Sequence, residues 1–376
     1  MYTNLIGLVE DSKPTHFASY LGRLNSGLSL TYREASDYMR SVLDIDDPRM
    51  RSAQLGVLLN GLMAKHPTVE EASGVIDAAL ALDGLLPDAR PSHPFTGERV
   101  VGIAGSGKKG IKTPNISTPA AIVAAAAGVR VAKCASAATS SVAGSADILK
   151  RLGVKLTRST RRTLDVMAEC GLGIFEIEQM VPRFDAAYGG LFFAPHVLSL
   201  AFPALLLPIR TDTLLYGIAH PDVSLSLEVL RRYHEGDMLV VSSTPDNLSW
   251  IDEVGIVGDT SIVGVREGVR GRTLRLGLAD VLGAGPYSMH DLVPGSDVTD
   301  QARIVVDVLT GTAAPTLVDL VAVNAATLLL LDDIGTTVPE AFDLARELIS
   351  SGAALAKLRE LISASGGDDH TVRGWL

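Results

Sequence analysis

The stretch Val100-Val-Gly-Ile-Ala-Gly-Ser-Gly-Lys-Lys-Gly110, followed shortly by Thr113-Pro-Asn-Ile-Ser-Thr-Pro119, decides the fold. Its apolar start, Val100–Ala104, predicts a buried strand. The Gly/Lys turn ends that strand, and the alanine-rich run Pro119–Ala127 predicts a helix that Gly128 stops. The pattern then repeats. Val129–Lys133 reads as a second strand, a serine-rich turn follows, and Ser145–Leu152 reads as a second helix before Gly153. Strand, turn and helix in alternation is the rhythm of a parallel sheet with helices on its faces. Strand Leu214–Ala219, helix Ser224–Tyr233 and strand Met238–Ser242 extend it. Long apolar helices are expected over Thr316–Leu331, Pro339–Ser350 and Ala353–Ile362, and the polar last dozen residues are expected to fray.

Upstream of Arg99 the period is different. Residues 15–83 read as helices alone: Leu30–Leu43 is amphipathic, Ala53–Lys65 is strongly apolar, and Val69–Asp83 follows a Thr68-x-x-Glu71 capping box. The Pro- and Gly-bearing stretch Asp83–Glu98 reads as a linker. Segment 176–208, with Tyr188-Gly-Gly and an apolar run holding three prolines, breaks the alternation and is expected to cross back onto the N-terminal helices. The sequence therefore predicts an α/β protein with a small all-helical N-terminal domain (1–90, plus the crossover 176–208). Its larger α/β domain, with a mainly parallel sheet, would be built from 99–175 and 209–376.

Composition narrows the function. A length of 376 residues exceeds one ordinary core, which agrees with two domains. Aromatic residues make up only 5%, too few for the stacking platforms of single-strand nucleic-acid binders. The formal net charge of −10 argues against a general polyanion binder but leaves room for one local anion site. Cys134 and Cys170 have no metal-ligand spacing and cannot make a disulfide framework. No uncharged apolar stretch approaches the roughly 20 residues of a membrane helix, and Met1–Lys13 lacks a signal-peptide pattern, so a cytoplasmic chain with no membrane partner is expected.

Three constellations can carry chemistry. Gly105, Ser106, Gly107, Lys108 and Lys109, with Asn115, Ser117 and Thr118 after them, sit between a strand and a helix, where backbone N–H groups converge on an anion. Glycine turns and Ser/Thr caps also serve as plain structural devices there. The spacing is neither a Walker A loop nor the dinucleotide fingerprint. The second constellation is Lys133-Cys-Ala-Ser-Ala137, then Ser140-Ser141 and Gly144-Ser-Ala-Asp147. A lysine closing a parallel strand faces the ligand crevice, or is merely solvated. The third is the adjacent pair Asp252-Glu253, which suits Mg²⁺ beside a substrate phosphate and is also common in any acidic protein.

Taken in this order, the three resemble the anthranilate phosphoribosyltransferase family. Its G-T-G-G-D and N-x-S-T motifs stand here as Gly105-Ser-Gly-Lys-Lys109 and Asn115-Ile-Ser-Thr118. Its V-A-K-H-G-N-R and S-G-S-x-D stand as Val131-Ala-Lys-Cys-Ala-Ser-Ala137 and Ala143-Gly-Ser-Ala-Asp147, and its L-D-E as Ile251-Asp-Glu253. Ser52-Ala-Gln-Leu-Gly56, Val323-Asn-Ala-Ala326 and Ser351-Gly-Ala-Ala-Leu-Ala-Lys357 are similar too, so the likeness runs from about residue 15 to 363. The resemblance implies that Gly105, Ser106, Gly107, Lys108, Lys109, Asn115, Ser117, Thr118, Lys133 and Ser145 line a phosphoribosyl pyrophosphate site. It implies that Asp252 and Glu253 hold Mg²⁺, and that copies pair through the N-terminal helices as a homodimer.

The departures fall where the acceptor would bind. Ser136 replaces the motif's Asn, and Leu191 stands where the family's acceptor-reading Arg is expected, nine residues past Pro182. Removing that Arg removes the natural partner of a carboxylate, although Arg183 or His196 can supply charge from another face. These changes are those of a transferase with an acceptor other than anthranilate, or of a chain that has drifted out of catalysis. Two further readings are a catalytically inactive nucleic-acid-binding dimer, which Lys108, Lys109 and Lys112 would suit but the acidic whole does not, and a nucleoside phosphorylase.

Overall fold

The computed structural model describes residues 14–85, 89–137, 143–190 and 192–376, and Leu191, Ser140 and Ser141 fall outside them. The chain divides into two compact units. One is drawn from Met1–Leu86, Arg183–Gly189 and His196–Leu198, the other from Pro87–Pro182, Gly190–Pro195 and Ser199–Leu376.

The first unit contains helices α1 (Pro14–Asn25), α2 (Tyr32–Leu43), α3 (Pro48–Lys65) and α4 (Val69–Leu82). Reciprocal capping boxes, Thr31 with Glu34 and Thr68 with Glu71, fix the starts of α2 and α4. Glu71 is fully buried yet satisfied: it accepts from the Leu30 and Thr68 backbone N–H groups and from Lys65 Nζ, each at 2.8 Å. Leu55, Leu58, Leu59 and Leu62 of α3 are all buried within the chain.

The second unit is built on a sheet whose first strands are β1 (Val101–Gly105), β2 (Val131–Ala135), β3 (Leu172–Glu176), β4 (Thr213–Gly217) and β5 (Asp237–Thr244). These five run parallel in the order β3-β2-β1-β4-β5. Strands β6 (Asp259–Arg266), β7 (Val269–Arg270) and β8 (Leu274–Leu276) add an antiparallel edge. Because both faces are covered, the inner strands read as continuous apolar runs rather than as alternation. Helices α5 (Ser117–Ala126), α6 (Ser145–Arg151) and α7 (Thr160–Cys170) return the chain between β1, β2 and β3, and α8 (Pro182–Tyr188) follows them. Helix α9 (Val223–Leu230) joins β4 to β5, and α10 (Leu278–Leu282), α11 (Val298–Leu309), α12 (Pro315–Leu331), α13 (Val338–Ser350), α14 (Ala353–Ser365) and α15 (His370–Arg373) complete the chain. The alanine-rich α5 is buried from Thr118 to Ala125 and packs on α12, α13 and α14, its short side chains allowing close approach.

Several expectations shift. The second strand starts at Val131, not Val129, because the Val129 N–H is spent on Ala124 O and the Gly128 N–H on Ala125 O, closing α5 with Gly128 at φ +99°. The C-terminal dozen is not frayed: α15 buries Val372, and Asp369 pairs with Arg359 at 2.8 Å and with Arg373 at 2.7 Å. Segment 176–208 does not pack as one piece. Only 183–189 and 196–198 cluster with the N-terminal helices, whereas Phe202–Leu206 pack against β1 and β2 of the sheet.

Candidate active site

In the strand order β3-β2-β1-β4-β5 the chain leaves β1 toward one side and later resumes on the other. The switch point lies between β1 and β4, where open parallel sheets form their ligand crevice. The turn after β1 meets the turn that ends at Asp252. Chain return onto β5 sets the second turn: Ile251 exchanges two backbone hydrogen bonds with Ser243, each 2.9 Å. Beyond it, buried Asn324 of α12 holds Val254 from both sides, accepting from its N–H at 3.1 Å and donating to its carbonyl at 2.8 Å. Asp252 and Glu253 are thus fixed through the backbone.

The glycines answer to this meeting. A Cβ on Gly105 would lie 2.6 Å from Asp252 Oδ2, and one on Gly217, at the end of β4, 1.7 Å from the Asp252 carbonyl oxygen. The N–H groups of the first turn are spent inside the protein: Ser106 on Gly217 O at 2.9 Å, Gly107 on Asp252 Oδ2 at 2.7 Å, and Gly110 on Trp250 O at 3.0 Å. Ser106 Oγ is likewise engaged, accepting from Ala219 N–H and donating to Gly107 O, both 3.0 Å.

The two lysines of the turn part company. Lys108, at φ +59°, donates to the Phe192 carbonyl at 2.6 Å, and burial, with Lys112 nearby, lowers its pKa to about 8. Lys109 is expected from the sequence to face the pyrophosphate; the structure turns it to the carboxylates instead. Its Nζ lies 2.5 Å from Glu253 Oε1, 3.5 Å from Asp252 Oδ1 and 3.1 Å from Thr113 Oγ1. Burial favours the neutral amine, but the charges of Glu253 and Asp252 outweigh it and raise the pKa of Lys109. Burial also pushes the Glu253 carboxyl above the ordinary carboxylate range, against the pull of Lys109.

As arranged, this donor set does not fit Mg²⁺, the ion the sequence reading places there. Asp252 Oδ2 is held by the Gly107 N–H and Glu253 Oε1 by the Lys109 ammonium, whose charge stands 3.5 Å from Asp252 Oδ1. Asp252 Oδ1 and Glu253 Oε2 are buried without a hydrogen-bond partner among the described residues, facing a site where Lys109 already supplies the positive charge. Among the described residues no group of three or more His, Cys, Asp or Glu side chains is gathered to hold a metal ion.

Lys133 stands on β2, one strand away, buried, with its Nζ 3.0 Å from Ser117 Oγ. Burial lowers its pKa to about 8, while Glu253 and Asp252 are close enough to pull it upward. Asn115 caps α5 by accepting from Thr118 N–H at 3.1 Å, and the Thr118 hydroxyl is buried without a hydrogen-bond partner among the described residues. Cys134, in the position of the motif's His, donates to Pro203 O at 3.3 Å, and burial pushes its thiol up to about 12.

The second strand-to-helix turn is tied more loosely. Ser145 Oγ accepts from Ser136 N–H at 3.2 Å, Ala146 N–H donates to Ser136 O at 3.0 Å, and Ala137 N–H donates to Glu178 Oε1 at 2.9 Å. Thus the structure gathers Gly105, Gly107, Lys109, Asp252 and Glu253, sets Lys133 beside Ser117, and pairs Ser136 with Ser145. Arg183 belongs to the helical unit, where its backbone N–H donates to Asp83 Oδ1 at 2.8 Å, and His196 there meets the Tyr188 hydroxyl at 2.6 Å. Glu178 and Gly217 escaped sequence reasoning, and Thr113, quoted with the first turn, was given no role there. Asn324 lay inside a motif-like stretch, but only its burial in α12 reveals its hold on Val254.

Comparison with known proteins agrees with this architecture. The family model described as "Glycosyl transferase family, a/b domain" matches residues 97–355. An anthranilate phosphoribosyltransferase of Dehalococcoides mccartyi is 30% identical over 356 residues, covering 92% of this chain and 97% of that protein. That of Chloroflexus aurantiacus is 30% identical over 342 residues, covering 90% and 96%. The crystal structure of anthranilate phosphoribosyltransferase from Thermus thermophilus superposes with a TM-score of 0.73 at 27% identity, covering 92% of this chain and 99% of that one. The Saccharomyces cerevisiae enzyme in complex with PRPP and Mg shares the fold, with a TM-score of 0.74 at 20% identity and coverage of 94% and 99%. With 259 contiguous positions inside the family model (97 through 355) and 30% identity along nearly the whole chain, this protein belongs to the anthranilate phosphoribosyltransferase family of glycosyltransferases.

Proposed function

We propose that the chain takes phosphoribosyl pyrophosphate and transfers its phosphoribosyl group to an aromatic or heterocyclic acceptor other than anthranilate. One observation carries the donor half of this reading. Lys133 places a buried ammonium at the middle of parallel strand β2, rather than at its end as the sequence suggests, donating to the Ser117 hydroxyl beside the buried hydroxyl of Thr118. Burial costs the charged form, and an anionic ligand restores it. In the reaction the anomeric carbon loses its bond to the pyrophosphate oxygen and gains one to the acceptor nucleophile, through an oxocarbenium-like state. Lys133, Ser117 and Thr118 would meet the charge that develops on the departing diphosphate, with Asn115 holding the start of α5 in place. Gly105, Ser106, Gly107 and Ser145 would form the surrounding walls.

The acceptor half rests on Ser136 and Leu191, which replace the polar and charged groups expected to read anthranilate, and on Arg183 as the remaining cation of that segment. Lysines that would suit a nucleic-acid backbone are otherwise engaged: Lys109 with two carboxylates and Lys108 with a carbonyl. What supports a homodimer through the helical unit is narrower than the sequence suggests. The leucines of α3 are buried within the chain, and Met50 and Val57 remain exposed. Sedimentation across micromolar concentrations reads this, and a monomer throughout rejects it.

Calorimetry with phosphoribosyl pyrophosphate, followed by a mass-spectrometric screen of aromatic amines, heterocycles, anthranilate and inorganic phosphate, tests the main reading. Saturable donor binding and a ribosylated product other than phosphoribosyl-anthranilate are expected. Absence of donor binding at millimolar ligand sinks the first half, and robust turnover of anthranilate sinks the second.

A further inference from the structure

We propose that Lys109 is a built-in cation at the Asp252–Glu253 pair, so that the site takes its diphosphate-bearing ligand with no divalent ion bound to those two carboxylates. The inference rests on the proposed reading only in naming that ligand.

The Lys109 ammonium donates to Glu253 Oε1 at 2.5 Å and to Thr113 Oγ1 at 3.1 Å, and its charge lies 3.5 Å from Asp252 Oδ1, an ion-pair contact without a hydrogen bond. All three charged side chains are largely withdrawn from water, at 17%, 6% and 8% exposure for Lys109, Asp252 and Glu253. Mg²⁺ needs oxygens at about 2.0–2.1 Å in near-octahedral order and keeps several waters. Lys109 stands where that shell would form. Nor can Asp252 readily turn to a new position, although its Oδ1 and Glu253 Oε2 are buried without hydrogen-bond partners among the described residues. Asp252 Oδ2 is fixed by the Gly107 N–H at 2.7 Å, and the backbone just beyond is clamped by Asn324.

Charge points the same way. Two carboxylates with one ammonium carry a net −1, and buried Lys133 close by reduces the local sum to zero when charged. A bare pair of carboxylates attracts a divalent ion strongly at short range, whereas this set has its neutralising charge built in. Loading a metal here means pulling Lys109 from its two hydrogen-bond partners and from the nearby Asp252 charge, and holding its own charge beside the incoming ion. Any Mg²⁺ that accompanies the diphosphate from solution therefore rides on the ligand, and the protein's own contribution at this corner is the lysine.

Titration of the full chain with Mn²⁺, followed by loss of the free-ion electron paramagnetic resonance signal, reads the pair directly and without the donor. The unmodified protein and Asp252→Asn should give the same curve. Lys109→Ala, or Lys109→Gln if the shorter side chain impairs folding, should bind Mn²⁺ roughly tenfold or more tightly than the unmodified chain. Adding Asp252→Asn to either variant should abolish that gain. Mn²⁺ uptake by the unmodified protein that Asp252→Asn removes would overturn the proposal, as would folded Lys109 variants that gain nothing. Failure of phosphoribosyl pyrophosphate to bind, measured separately in the presence of a chelator and of Mg²⁺, would sink the proposed function and leave the Mn²⁺ result standing.

Discussion

Two turns lead from strand to helix in the same sheet, and they use their polar groups in opposite ways. The first, after β1, spends its N–H groups on Gly217, Asp252 and Trp250, and its Lys109 on Asp252 and Glu253. The second, after β2, is held by Ser145, Ala146 and Glu178 contacts around Ser136 and Ala137. Both look like phosphate cradles in one dimension. In three, the first is a rigid joint between β1, β4 and the Asp252 turn. On the proposed reading, the anion-binding role falls to Lys133 and the start of α5 between the two turns. Glycine richness marks close approach of chain to chain as readily as close approach of chain to ligand.

That contrast can be broken at three points. The largest effect is expected at the joint. Gly217→Ala forces a methyl group against the Asp252 carbonyl, with an ideal separation of 1.7 Å, and should cost about 3 kcal/mol in urea unfolding. A loss under about 0.5 kcal/mol would mean the joint yields freely.

Lys133 comes next. Lys133→Ala should weaken binding of phosphoribosyl pyrophosphate by roughly 1.5–3 kcal/mol, as for a charge-assisted hydrogen bond. Its titration gives a second readout. The folded, unliganded pKa of about 8 lies below the ordinary 10.5, so between those values the unfolded chain holds the proton and the folded one does not. This residue's contribution to stability therefore rises with pH across that window, and the penalty is fully present below about pH 8. A diphosphate ligand favours the ammonium. Binding above pH 8 should take up a proton, seen by calorimetry in buffers of different ionisation enthalpy, and Lys133→Ala should abolish the uptake. Binding with equal proton release in both proteins would assign the anion to other groups.

The smallest effect belongs to the second turn. Ser145→Ala removes the acceptor of the Ser136 N–H and should cost about 1 kcal/mol in the same unfolding assay, leaving the Asp252 joint intact. A cost matching that of Gly217→Ala would erase the distinction between the turns.

Parallel strands β1, β2, β4 and β5 and the long C-terminal helices were legible because each is a local pattern: an apolar run bounded by glycine, or an apolar helix with a cap. Thr160–Glu176, whose helix shows few apolar positions, and the antiparallel strands β6 to β8 were not. The candidate site was legible in its residues and not in its wiring. Lys109 and Glu253 are 144 positions apart, and their meeting depends on β1, β4 and β5 lying side by side. A motif that places lysines beside a presumed phosphate turn cannot say which anion they will face. Gly217 was unreadable for a related reason: its need is set by the backbone of Asp252, which no local pattern contains.

The hold of Asn324 on Val254 grips only main-chain atoms. A grip of that kind is indifferent to side-chain chemistry, so the scaffold keeps the 252–253 turn in one place whatever residues the turn carries or confronts. Substitution at position 109 can then exchange one kind of positive charge for another without rebuilding the crevice. Geometry can be kept while chemistry changes in this fold because one amide in α12 holds the main chain alone.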